Sequence, residues 1–172
     1  MHIRTIDSLR DVRSLAGMLE DYIRFVTEDL QRAYGVTFDP KVLLENTMSS
    51  LDKVIPPLGW TFVAEDAMGE RLGMVFLRPS GADAMEIKRL YVPPARRGEG
   101  VGRTLVTTSM DAARRAGARA LRLDSSRNLT AAIGLYGALG FVERGPYPES
   151  HHFEDPILGP YLIFMEKNLG DA

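Results

Sequence analysis

The stretch EIKRLYVPPARRGEGVGRT, residues 86–104, decides the fold of this 172-residue chain. It starts as an apolar-rich run of strand length and stops at two prolines, which cannot donate to a strand ladder. It then turns through Gly98, Gly100 and Gly102 into a helical apolar pattern. A helix that starts in this way presents unpaired N–H groups at the positive end of its dipole, and glycine lets an anion approach the backbone closely. The turn is therefore predicted to bind an anion.

The basic residues of the chain are concentrated around this turn. Residues 88–127 contain ten Lys or Arg and three Asp or Glu, whereas both flanking segments are acidic. A small polyanion is a better prediction for the partner than a long nucleic acid, which favours a more strongly basic domain. A solvated, arginine-rich helix face is the alternative that the charge pattern leaves open.

Length and composition predict one globular domain over residues 1–172. Neither a membrane span nor a signal peptide is evident, so we expect a cytoplasmic protein without a membrane partner. The chain has no cysteine. This excludes disulfides, thiolate zinc sites and catalysis through an acyl-cysteine.

Hydrophobic periodicity predicts a mixed α/β fold. After a first strand at residues 2–6, helical spacing predicts one long helix or two helices joined near Gly17, and Asp39 before Pro40 predicts the start of another helix that runs to Leu51. Further segments follow: a hairpin at 60–66 and 71–79, a strand at 84–92, a helix at 100–116, a strand at 120–124, a helix at 128–139 and a last strand at 161–169. Hairpins followed by alternating strands and helices favour a mixed sheet over an all-parallel one.

Two nucleotide-binding loops do not fit the glycine turn. A P-loop needs Gly-Lys-Ser/Thr, but here Gly102 is followed by Arg103 and Thr104. A Rossmann turn needs a third glycine at the position of Arg103. Both families are therefore disfavoured.

The pattern Arg-x-x-Gly-x-Gly at residues 97–102 resembles the acyl-CoA pyrophosphate loop of the GNAT superfamily of N-acetyltransferases. The strand EIKRLYV precedes it, and NLTAAIGLYGALGF, residues 128–141, matches the family's Asn…Leu-Tyr…Leu-Gly-Phe segment in order and spacing. The specific motifs cover residues 86–141. The resemblance implies a mostly antiparallel mixed sheet flanked by helices, with acetyl-CoA as cosubstrate.

The resemblance also implies residue roles around a splayed pair of parallel strands. Leu90, Tyr91 and Val92 would pair with the pantetheine arm through their backbone and supply the N–H for the oxyanion. The pyrophosphate would bind the main chain of the turn, which comprises Arg97, Gly98, Gly100, Val101 and Gly102. Asn128 would contact the pantetheine arm or a bound water, although it could equally be an N-cap.

Two side chains are candidates for proton transfer in the attack of an amine on the thioester. Glu86 lies on the strand at the acceptor end and would act as the base, directly or through water; its alternative role is an ion pair with an arginine. Tyr136 falls on the family's tyrosine and would protonate the leaving thiolate; its alternative role is that of a core residue.

The acceptor is the least determined part of the prediction. We expect the primary amine of a small molecule or peptide, bound by the loop at 144–160 and by Tyr22, Glu28 and Asp29, and the acidic flanks weakly favour a cationic acceptor. A metal site at His151 and His152 is disfavoured, because consecutive histidines in a polar loop lack fixed ligand geometry. A homodimer, and a non-catalytic acyl-CoA-binding module on the same fold, stay open.

Overall fold

The computed structural model describes residues 1–170. Five α-helices and seven strands occur over these residues, and those predicted above follow one another in the predicted order. They are β1 (His2–Ile6), α1 (Leu9–Arg13), α2 (Ala16–Tyr34), α3 (Pro40–Met48), β2 (Trp60–Glu65), β3 (Arg71–Pro79), β4 (Ala84–Tyr91), α4 (Val101–Arg115), β5 (Ala120–Ser126), α5 (Thr130–Ala138), β6 (Val142–Arg144) and β7 (Leu162–Asn168).

The strands form one mixed sheet in the order β1-β2-β3-β4-β5-β7-β6. Only β4 and β5 are parallel; every other neighbouring pair is antiparallel. The predicted mixed, mostly antiparallel sheet flanked by helices is confirmed.

The parallel pair separates soon after it forms. Residues 84–86 of β4 pair with residues 120–122 of β5, and the ladder ends there. On its other side β4 contains a bulge, since Phe76 of β3 pairs with Lys88 while Met74 pairs with Tyr91. Arg89 lies in the bulge with a φ of 54°, a conformation that non-glycine residues rarely adopt. The strand is thereby bent where the gap between β4 and β5 opens.

Helices cover both faces of the sheet. Met85 and Ile87 of β4 point into the core formed with α4 and α5. Because side chains alternate along a strand, Glu86 and Lys88 point to the opposite face, which α1–α3 cover. The predicted site residues of β4 therefore lie on both sides of the sheet.

The main differences from the predicted elements concern the helices. The first helical region is two helices, α1 and α2, which the sequence had left open. The helix capped by Asp39 ends at Met48, and a separate 3₁₀ helix covers Leu51–Val54. The helix predicted from Asn128 starts two residues later. Within residues 1–170, no helix is long and apolar enough to cross a membrane.

Candidate active site

Glu86 is fully buried at the base of the gap, and both its oxygens are already engaged. Arg78 of β3 donates to Oε2 from Nε at 2.7 Å. Oε1 accepts from the Tyr147 hydroxyl at 2.7 Å and lies 3.2 Å from the Lys88 ammonium. Glu86 thus forms the ion pair with an arginine that was its alternative role. A direct contact between Glu86 and an acceptor amine is not available in this arrangement, and its role as a base through water stays a prediction.

Lys88 connects the two strands where their backbones have separated. Its ammonium lies 2.5 Å from Asp124 Oδ2 on β5. Burial raises the pKa of Asp124, but the attraction of Lys88, together with His152 and hydrogen bonds from Lys88 and Ser150, outweighs burial and lowers the pKa to about 2. The gap therefore has an ionised carboxylate on one side and a paired ammonium on the other.

Tyr136 is buried in the core on the face of the sheet that α4 and α5 cover. Its side chain on α5 is 5% exposed and packs against Phe141, with 5.8 Å between ring centroids. Burial, followed by the charges of Tyr22 and Asp124, raises the pKa of the phenol well above its usual value.

Asn128 links the end of β5 to α2. Its side-chain oxygen accepts from Ser126, and its amide donates to Asp29, 99 positions earlier in the sequence. It does not cap α5, because the N-cap position is Leu129. The N-cap alternative is therefore wrong, and the predicted contact with the pantetheine arm stays a prediction.

The glycine turn precedes α4 as predicted. Gly98 and Gly100 have φ values of 85° and 81°, and no atom lies within 4 Å of a Cβ placed at either one. None of the six N–H groups of residues 98–103 donates to another group in the described part of the chain. Gly102 serves packing instead, since a Cβ there would lie 3.3 Å from Leu135. The turn thus leaves six free donors around open space.

The strand segment between the gap and the turn is Leu90–Val92. Past Glu86, no residue of β5 pairs with β4 in the described ranges, so this edge is open for a ligand. The Tyr91 side chain packs against Tyr22 and Phe25 on α2, and burial raises its pKa. Arg97 donates to the Val92 carbonyl at 3.1 Å, and its guanidinium lies over Phe25.

The residues expected at the acceptor side are only partly brought together. Tyr22 lies in the site, whereas Asp29 is held by Asn128 and Glu28 is exposed on α2. His151 is partly exposed, its Nε2 lies 2.7 Å from Arg78 Nη1, and burial and the neighbouring cations lower its pKa to about 4. His152 instead pairs with Asp155. Over residues 1–170, no group of three His, Asp or Glu side chains is arranged to hold a metal.

Several residues of the site were not predicted. Arg78, Asp124 and Tyr147 all converge on Glu86 or Lys88, and Arg89 extends from the β4 bulge to Thr47 on α3. Strand alternation could have indicated that Arg78, on the same hairpin, shares a face with Glu86. Tyr147, 61 positions from Glu86 in a loop, has no local signal in the sequence.

A parallel pair that separates beside a turn of free amides is the arrangement expected of an acyl-CoA-dependent acyltransferase, and comparisons with known proteins agree. Residues 23–141 match the acetyltransferase (GNAT) family. An uncharacterized N-acetyltransferase of Schizosaccharomyces pombe is 32% identical over 148 residues, which is 86% of each chain.

Solved structures show the same fold. A GCN5-related N-acetyltransferase from Kribbella flavida has a TM-score of 0.66 and 28% identity, and the match covers 96% of this chain and 97% of that one. YncA of Salmonella typhimurium, solved with its cofactor acetyl-CoA, has a TM-score of 0.65 and 22% identity, and the match covers 100% of this chain and 95% of that one.

The chain belongs to the GNAT acetyltransferase family. It is an acetyl-CoA-dependent N-acetyltransferase.

Proposed function

We propose that the enzyme transfers the acetyl group of acetyl-CoA directly to a primary amine of a small molecule or peptide, with both substrates bound at once. The observation that carries this proposal is the gap between β4 and β5, which opens past Glu86 toward the six free amides before α4. An extended pantetheine arm can pair with the open edge of β4 while its pyrophosphate meets the amides. No covalent enzyme intermediate is needed.

The residues would act on the cofactor as follows. The backbone of Leu90, Tyr91 and Val92 pairs with the pantetheine arm, and the amides of residues 98–102 bind the pyrophosphate. The Arg97 amide is already occupied, since it donates to the Pro94 carbonyl. An N–H of the same strand segment stabilises the oxyanion that forms when the amine attacks the thioester carbon. Asn128 lies just past the end of β5, and its side chain, which already bonds Ser126 and Asp29, would contact the arm through its remaining amide hydrogen.

Tyr136 would donate the proton that the leaving sulfur needs. The N–C bond forms, the C–S bond breaks, and the phenol proton passes to the thiolate. The proton that the nitrogen loses on becoming an amide passes to solvent, from which the Tyr136 phenolate regains its own. Because burial raises the pKa of Tyr136, the phenol stays protonated at neutral and alkaline pH. The donor is then present in every turnover.

The attacking amine must be neutral, and a free alkylamine with a pKa of about 10.4 is mostly protonated at pH 7. The acceptor side carries the cations Arg78, Lys88 and Arg89. Like charges disfavour an ammonium ion, so the pKa of the bound amine falls and its proton passes to solvent. Glu86 would assist only through a water, since its own oxygens are occupied.

Ligand binding and kinetics test the proposal together. Acetyl-CoA at a hundredfold its Kd should stabilise the protein by about 2.7 kcal/mol, with no comparable effect of ATP or NAD. In a screen of amines that follows thiol release, Tyr136→Phe should lower kcat about a hundredfold and change KM for acetyl-CoA much less. An unchanged kcat removes the acid role. Binding of acetyl-CoA without transfer to any amine would indicate the non-catalytic module.

A further inference from the structure

A cavity of about 50 Å³ lies on the acceptor side of the gap, between the end of α3, the following 3₁₀ helix and strands β3 and β4. Its charged and titratable lining is Lys53, Arg78, Lys88, Arg89 and His151. No Asp or Glu side chain lines it among the residues that the structure describes. The acidic flanks of the sequence therefore do not surround this cavity.

Two of the four cations are paired with carboxylates that do not line the cavity. Arg78 pairs with Glu86, and Lys88 pairs with Asp124. Arg89 and Lys53 have no carboxylate within 4 Å anywhere in residues 1–170. His151 adds no charge at neutral pH, because its pKa is about 4. The cavity thus keeps an excess of positive charge.

Arg89 is held in place before any ligand arrives. Its Nη2 and Nε donate to the Thr47 hydroxyl at 3.0 and 3.3 Å, and its guanidinium lies 5.6 Å from the centroid of the Tyr22 ring. Its φ of 54° is a conformation that non-glycine residues rarely adopt, and such strained positions are concentrated at functional sites. Its Nη1 is uncommitted, so the guanidinium can still bind a carboxylate.

We propose that the acceptor amine also carries a carboxylate, which Arg89 binds with support from Lys53. The inference rests on the proposed acetyl transfer and specifies its acceptor as a small amino-carboxylic acid. A cavity needs about 10–15 Å³ for each water it holds, so 50 Å³ admits a group of three or four heavy atoms, the size of a carboxylate.

The position of Arg89 sets how far the carboxylate is from the amine. Arg89 directly precedes Leu90, and the Cα atoms of consecutive residues are about 3.8 Å apart. A carboxylate bound to the Arg89 guanidinium therefore lies within about the length of one arginine side chain of the strand segment that would hold the thioester, which suits a small acceptor. The zwitterion also offsets the positive charge of the cavity, whereas an acceptor with several amines would be repelled.

The test uses pairs of acceptors, each an amino-carboxylic acid and its carboxamide, compared at equal concentrations of the neutral amine with saturating acetyl-CoA. We expect kcat/KM to be about ten- to a hundredfold higher for the acid. Arg89→Met should bring this ratio close to 1, mainly by raising KM for the acid. Lys53→Met should reduce the ratio less. Because Lys53 is exposed, this variant tests the proposal if Arg89→Met does not fold.

The control is Arg115→Met, an exposed arginine at the far end of α4, which should leave the ratio unchanged. Equal kcat/KM values for acid and carboxamide in the wild-type enzyme overturn the carboxylate site, and so does a ratio that survives Arg89→Met and Lys53→Met. Either result leaves acetyl transfer intact. If calorimetry shows acetyl-CoA binding but no amine of either kind is acetylated, the proposed function fails instead.

Discussion

Glu86 shows how the surroundings of one carboxylate decide what it can do. It was predicted as a base because it lies at the acceptor end of the strand. In the fold, Arg78, Lys88 and Tyr147 surround it on the face of the sheet that α1–α3 cover. A buried carboxylate with two cations stabilises the arrangement of those cations, which line the acceptor cavity.

Replacing Glu86 separates the structural role from the catalytic one. Glu86→Gln leaves two buried cations short of one negative charge, so we expect the free energy of unfolding to fall by about 3 kcal/mol. If Glu86 only positions its neighbours, the pH at which kcat/KM reaches half its maximum should not move. Urea unfolding and a pH–rate profile provide the measurements. A rate that no longer depends on pH in the variant would restore the role of base.

At the scale of elements, the two ends of α4 offer a matched pair of glycines. Gly100 precedes the helix with a φ of 81° and Gly117 follows it with a φ of 79°, and a Cβ at either would meet no atom within 4 Å. Alanine at either position should cost a similar conformational strain, about 1 kcal/mol. Only Gly100→Ala places a methyl group beside the free amides.

We therefore expect Gly100→Ala to raise the Kd of acetyl-CoA about tenfold and Gly117→Ala to leave it unchanged. Isothermal calorimetry measures the Kd, and thermal unfolding checks that the two variants lose similar stability. Equal Kd values in both variants would show that the turn does not hold the cofactor.

The elements themselves could be predicted, but their distortions could not. Hydrophobic periodicity and capping residues predict that α3 starts at Asp39 and that the glycine turn precedes α4, because these signals are local in the sequence. The bulge at Arg89 is not visible in EIKRLYV, since it depends on register against β3. The contact between Asn128 and Asp29 likewise depends on tertiary packing. The sequence therefore predicts part of the site, namely Tyr136 and the glycine turn. It does not predict the cations of the acceptor side.

At the scale of the whole molecule, basic residues of segment 88–127 form ion pairs with acidic residues of the flanking segments. Arg122 pairs with Glu166 at 2.8 Å, and Arg96 pairs with Glu70 at 2.7 Å. Part of the charge around the turn thus balances acids from elsewhere in the chain. Arg89, on the acceptor side, keeps part of the positive charge that is left.

The same charge distribution predicts how stability depends on pH. The pKa of His151 is lowered from 6.5 to about 4, so between these values the unfolded chain binds a proton that the folded chain does not, and stability falls as the pH decreases. The pKa of Asp124 is lowered from 3.8 to about 2, so its contribution is complete above 3.8 and is lost toward pH 2. By the size of this shift, Asp124 contributes about 2 kcal/mol at neutral pH.

Urea unfolding at intervals from pH 7 to pH 2.5 should therefore show two successive losses. His151→Asn should flatten the curve between pH 6.5 and 4 and leave the lower range unchanged. Asp124→Asn should lower stability at pH 7 and flatten the curve below pH 4, because Lys88 then has no ionised partner on β5 in either range. Since His151 is partly exposed, solvent screens its interactions, and the loss of unfolding free energy that it causes should be smaller than that of Asp124. A wild-type curve without a slope below pH 4 would show that Asp124 is not held ionised by Lys88.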